Sequence, residues 1–209
     1  KEMGDVPLEV ANDGDVTALA GAIDLNDNDV LGIAMGTSEA VGYINGEGGL
    51  NGWLSELAFV PVDYNDKSMV DEWSGDYGCG VKYFSQDSVI KLAEKGGFKF
   101  EEGLSPAEKL KVIQKLMASG DKLAKTIYED IGIYLGYTLP FYSIFYDIKH
   151  VLLLGRVTSG EGGNIIIEKA KEVLKSEFPE LKFALEMPDE KNRRVGQSIA
   201  AASLAASRK

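Results

Sequence analysis

Two short runs, Val30–Met35 and Glu39–Ile44, are separated only by Gly36-Thr37-Ser38, and this spacing constrains the fold more than any other feature of the sequence. Runs of this length are too short to stand as helices but ordinary for strands. The first, VLGIAM, is almost continuously apolar, as in a strand covered on both faces, and EAVGYI follows directly after the bend. The pair reads as a β-hairpin. Its bend admits two readings. Glycine, threonine and serine are ordinary turn residues, yet consecutive amides beside two hydroxyls also make a nest for an anion.

The flanking sequence supplies cover for such a sheet. Asn12 is placed to cap a helix that begins where the strand-like VPLEV (residues 6–10) stops, with Asp13 and Asp15 in the first turn and Val16, Leu19, Ala20 and Ile23 as its apolar face. Residues 46–80 are rich in glycine, carry Trp53 and Trp73, and show few helix signals; long irregular loops of this kind are often functional. A helix is expected from about Tyr83 to Glu94. Another opens at Ser105 with Pro106 at its first position and Glu108 closing a capping box. Residues 121–150 read as a long, mostly buried helical element, kinked or restarted at Pro140. The strand VLLLG, a helix from about Asn164 to Phe178, the alternating LKFALEMP (Leu181, Phe183, Leu185, Met187) and a small-residue helix, VGQSIAAASLAAS, complete the chain. A hairpin followed by strand, helix and strand argues for an α/β fold with a mixed sheet, in one domain over residues 1–209, without repeats or linkers.

Charge and cysteine content exclude several functions. Thirty-three acidic against 22 basic residues give a net charge of −11, which repels a polyanion and offers no basic stripe for nucleic acid. Cys79 is the only cysteine, so neither an intrachain disulfide nor a cysteine-based zinc cluster can form, and a reducing cytoplasm fits. The longest uncharged run, residues 131–146, falls short of the ~20 residues a membrane span needs. No secretory leader pattern opens the chain, and its first residue is Lys1 rather than methionine, which leads us to expect sequence upstream of it.

The candidate chemistry is modest residue by residue. Asn12-Asp13 is explained either as an N-cap with a dipole-matching acid or as an aspartate general base beside an asparagine that orients a substrate hydroxyl. Glu56, in the apolar setting of GWLSELAF, is either an ordinary loop carboxylate or a partner for a sugar hydroxyl. GRVTSGEGG (residues 155–163) has the glycine spacing of a P-loop, but Glu161 stands where the lysine must be, so the P-loop is rejected; what remains is a βα turn, with or without a nucleotide beside its backbone. His150, lacking cysteine partners, reads as structural or as a helix C-terminal charge.

Taken in order, these segments resemble the ROK family (repressors, open reading frames and sugar kinases) of the actin-like ATPase superfamily. VPLEVANDGDVTALAGA resembles the family's Asn-Asp pair opening a helix; the resemblance implies Asp13 as catalytic base and Asn12 as a sugar contact. VLGIAMGTSEAVGYINGEG resembles its phosphate hairpin and implies that Gly36, Thr37 and Ser38 approach ATP phosphates, although Ser38 and Glu39 stand where the family has more backbone freedom and less negative charge. NGWLSELAF is similar to the Gly-Glu-x-Gly-His loop, with Glu56 on the sugar-binding glutamate and Phe59 in place of histidine. YGCGVKYFSQDSV resembles the Gly-Cys-x-Glu segment, with Cys79 and Ser85 in register and Val81 in place of a second sugar glutamate. HVLLLGRVTSGEGGNIII resembles the adenosine-side strand and turn, with Gly155 retained and Arg156 replacing a glycine.

The resemblance implies an RNase H-like lobe, with ATP and Mg²⁺ as cofactors, sugar and nucleotide as ligands and a possible homodimer. The missing histidine and cysteines imply no structural zinc. The family's Asp-x-Gly-Gly-Thr phosphate loop, carried on a small N-terminal lobe, does not occur in this sequence, so the chain is expected to be either the C-terminal large lobe of a longer protein, the reading that Lys1 as first residue favours, or a natural half. Three readings follow: the large lobe of an ATP-dependent sugar kinase, a non-catalytic effector domain of a transcriptional regulator or degenerate binding member, or a likeness of fold alone.

Overall fold

A computed structural model describes residues 11–53, 55–188 and 200–201. A mixed four-stranded sheet lies at its centre: β1 (Val30–Met35), β2 (Glu39–Ile44), β3 (His150–Leu154) and β4 (Ala184–Glu186), in the order β2-β1-β3-β4. β1 and β2 form the expected antiparallel hairpin, Val30 opposite Ile44 and Met35 opposite Glu39. β3 runs parallel to β1, pairing Val30 with His150 and Ala34 with Leu154, and β4 runs parallel to β3. β1 and β3 are therefore interior strands, which is why VLGIAM and HVLLL carry apolar residues on both faces.

One face of the sheet is covered by α1 (Asp13–Leu25), in contact with β1 and β2. The cap is where the sequence placed it, but the buried face is not. Gly14, Thr17, Ala18, Gly21 and Ala22 face the sheet, whereas Val16, Leu19 and Ala20 are only half-buried and Ile23 is 47% exposed. The cause is proximity. A Cβ at Gly14 would overlap the Val41 backbone, and one at Gly42 would overlap the Gly14 carbonyl. Backbone lies on backbone, so size rather than hydrophobicity decides which residues turn inward.

The other face carries the larger core, built from Leu31, Ile33, Met35, Val151 and Leu153 of the sheet and from α2 (Gln86–Lys95), α3 (Pro106–Ala118), α4 (Lys122–Tyr142) and α5 (Glu161–Glu177). α3 shows the predicted capping box: Glu108 accepts from the Ser105 amide at 2.9 Å and from its hydroxyl at 2.6 Å. Four expectations need correction. α4 is one helix that runs through Pro140 and ends at Tyr142; the proline removes a single bond, that to the Gly136 carbonyl, and the helix stops two residues later. α2 begins at Gln86, capped by Ser85, and α5 begins at Glu161 behind Gly160. The alternating C-terminal segment forms only the three-residue β4. The strand expected at residues 6–10 and most of the terminal helix lie outside the described residues; Ala200 and Ala201 are helical. No described helix is long and apolar enough to cross a membrane.

Candidate functional site

The hairpin bend and the start of α1 meet at the end of the sheet where β1 and β3 terminate. Between them lies a cleft of about 460 Å³ lined by Asn12, Asp13, Gly36, Thr37, Ser38, Glu39, Glu56 and short apolar residues of β1 and β2. Asn12 is fixed by its role as cap: its side-chain oxygen accepts from the Gly14 amide at 2.8 Å, so its NH₂ is free to turn outward. That NH₂ donates to Glu56 Oε1 at 3.3 Å, joining two predicted site residues 44 positions apart. Asp13 Oδ1 also accepts from Gly14 N, at 3.0 Å. The carboxylate thus sits in the first turn of α1, where the helix dipole favours negative charge. At the bend, Gly36 N donates to Ser38 O at 3.0 Å, while Thr37 and Ser38 are exposed and neither amide donates to another described group. Gln86 N, at the start of α2, donates to Gly36 O at 2.9 Å and holds the bend from behind.

The opposite wall is the irregular loop. Glu56 caps a short 3-10 turn, Leu57–Phe59, closed by Phe59 N donating to Glu56 O at 3.2 Å. A second such turn, Gly80–Lys82, precedes α2. The loop is tied down by polar hubs. Buried Lys82 places its ammonium 3.3 Å from Asp71, 2.6 Å from Glu72 and 2.9 Å from Asp87. Desolvation works against that charge, but hydrogen bonds to Glu72 and Asp87 outweigh it and hold the ammonium above the usual lysine range. Asp63 accepts from the hydroxyls of Tyr83 at 2.6 Å and Tyr134 at 3.1 Å, fastening the loop to α4.

The burial of two carboxyl groups in or near the cleft was not legible in the sequence. Glu39 heads β2, where a charged residue after a turn reads as exposed; it is only 4% exposed, and neither oxygen has a hydrogen-bond partner. Burial pushes its carboxyl up to about 8. Asp15 is raised as well, first by burial and then by the Glu56 charge, against a lowering hydrogen bond from the Tyr43 backbone. The parity of β2 was the available signal: Glu39 shares a face with Val41 and Tyr43, both in the core.

Asn12, Asp13, Gly36, Thr37, Ser38 and Glu56 are thus brought to one cleft. Gly155 is not among its lining residues. It follows β3 with φ +98°, and a Cβ there would overlap the Met35 backbone, so the fold itself requires glycine at this position. His150 Nε2 lies 3.0 Å from Asp27 Oδ2 and, as the largest of several causes, holds that carboxyl down at about 2; this is the structural role anticipated for it. Phe59 is partly exposed, its ring 5.6 Å from that of Trp73, and Cys79 is buried. No group of three or more potential metal ligands occurs among the described residues.

No protein-family model matches the sequence, and no curated protein does. Solved structures match the fold over nearly the whole chain. A ROK family glucokinase from Streptomyces griseus, crystallised with glucose and AMPPNP, superposes with a TM-score of 0.73 at 19% identity, over 94% of this chain and 67% of that one. A ROK hexokinase from Thermus thermophilus gives 0.69 at 16% identity, over 94% and 65%. A ROK family transcriptional regulator, a homologue of the E. coli MLC protein, gives 0.69 at 19% identity, over 94% and 52%. This chain spans between half and two thirds of those proteins and shares their fold.

Proposed function

We propose that residues 1–209 form the C-terminal large lobe of an ATP-dependent sugar kinase. The observation that carries this reading is the convergence of Asn12, Asp13 and Glu56 with the Gly36-Thr37-Ser38 bend in one cleft. Asn12 and Glu56 are paired at 3.3 Å and together offer donors and acceptors to a sugar hydroxyl. Asp13 is the general base that takes the proton of the attacking hydroxyl; its bond from the Gly14 amide in the first turn of α1 orients it. The exposed bend, with two amides uncommitted among the described residues, fits the phosphates of a nucleotide, and Gly155 allows the backbone after β3 to approach its adenosine side. Mg-ATP, when bound, supplies the transferable phosphoryl group and the cation that neutralises its charge. Mg²⁺ belongs with the nucleotide in this reading, since the described residues offer no metal cluster of their own. Positioning of the two reactants is the main contribution of the chain. A cytoplasmic location and a homodimer belong to the same reading.

The test is ATP-dependent phosphorylation of a hexose panel by the full-length protein. Asp13→Asn should lower kcat by roughly 10²–10⁴-fold while leaving sugar and nucleotide binding in place; turnover unchanged in Asp13→Asn refutes the assignment of the base.

A second reading, a sugar-sensing or degenerate binding domain without catalysis, is favoured by Phe59 and Val81 at positions expected to be polar and by the buried Glu39 beside the bend. Binding of sugar with no response to ATP would select it.

A further inference from the structure

Among the described residues, Glu39 is the carboxylate with both oxygens buried and no hydrogen-bond partner. It stands directly after Gly36-Thr37-Ser38, opposite Met35 in the hairpin, and lines the same cleft as Asn12, Asp13 and Glu56. Its side chain packs beneath the 3-10 turn at Gly80, where a Cβ would overlap Oε2. The groups around it offer no positive charge. Asp13 of α1 and Glu56 of the loop, which line the same cleft, are acidic. Tyr142 of α4, whose hydroxyl is also buried without a partner, feels the Glu39 charge as a repulsion. Lys82, two residues past Gly80, is committed to Asp71, Glu72 and Asp87. A buried carboxylate surrounded in this way is stable only as the neutral acid. In its ionised form it would place negative charge beside the bend that is to receive an anion.

We propose that Glu39 is a specificity-determining residue of the cleft: phosphate-bearing ligands bind at the Gly36-Thr37-Ser38 bend only when Glu39 is protonated, so that anion binding is coupled to retention of one proton. No covalent bond changes; solvent supplies the proton at high pH and receives it when the anion leaves. The coupling rests on the reading of the bend as a phosphate site, and it does not require that phosphoryl transfer follow.

The experiment is calorimetric titration of the full-length protein with Mg-ATP, without sugar, at about pH 7 and about pH 9, in two buffers of different ionisation heat. Affinity should fall about tenfold between the two pH values, with proton uptake on binding that grows toward the higher pH. Glu39→Gln and the core-compatible Glu39→Ile should both bind with affinity flat across that range. The wild-type protein at neutral pH should also show a carboxylic acid C=O stretch in the infrared that Glu39→Gln lacks. The same fall in affinity in Glu39→Gln, absence of proton uptake, or failure of Mg-ATP to bind at either pH overturns the proposal. Proton-coupled Mg-ATP binding without hexose phosphorylation would instead defeat the kinase reading and leave this one standing.

Discussion

The two walls of the cleft are held by opposite means. On the wall that carries Asn12, Asp13 and the Gly36-Thr37-Ser38 bend, α1 lies on the hairpin so closely that Gly14 and Gly42 touch backbone to backbone. On the wall that carries Glu56, the chain has little regular structure and is fastened by side chains: Lys82 to three carboxylates, and Asp63 to two tyrosines. The first wall is set by the absence of side chains and tolerates none added; the second is set by polar contacts, some of them partly exposed, and yields to charge, salt and substitution. The proposed base and phosphate nest thus stand on the unyielding wall, while the loop that would choose the sugar stands on the adaptable one.

Four substitutions would break or sharpen this contrast. The largest effect is expected at Gly42→Ala, which forces α1 off the sheet and should cost about 4 kcal/mol or prevent folding, read from urea unfolding. Lys82→Met comes next, at about 3 kcal/mol, because Asp71 is 8% exposed and would lose its cation; Glu72, at 69%, adds little to this. Hydrogen exchange should then show faster exchange at the amides of Gly78 and Gly80, with β1 and β2 unchanged.

Glu39→Gln should stabilise the chain near pH 8 by of order 2 kcal/mol. The sign follows from the raised carboxyl. Between an unfolded value of 4.5 and a folded value of about 8, the native state holds a proton that the unfolded chain has released, so wild-type stability falls as pH rises through that window. The variant should flatten this slope in thermal melts across the window, whereas a slope unchanged in Glu39→Gln would mean that the carboxyl is not buried. Asn12→Ala, the smallest effect, removes one cap at about 1 kcal/mol, and the helix should persist by circular dichroism.

The hairpin, the caps at Asn12 and Ser105, and the mixed sheet were legible because each rests on local pattern: run length, turn residues, capping chemistry. The inward face of α1 was not, because Ala18 and Gly21 turn inward for lack of size, which periodicity of hydrophobic residues does not register. The convergence of Asn12 with Glu56 was reachable only through the resemblance, since no local rule links residues 44 apart. The burial of Glu39 and the Lys82 hub arise from tertiary placement of residues whose types favour the surface.

The measurement that bears most directly on the central claim is steady-state phosphorylation of hexoses by the full-length protein with Mg-ATP, wild type against Asp13→Asn. A phosphorylating wild type whose kcat falls by roughly 10²–10⁴-fold in Asp13→Asn, with hexose binding retained, is the predicted result. Equal turnover by the two proteins, or hexose binding with no phosphorylation by the wild type, would contradict it.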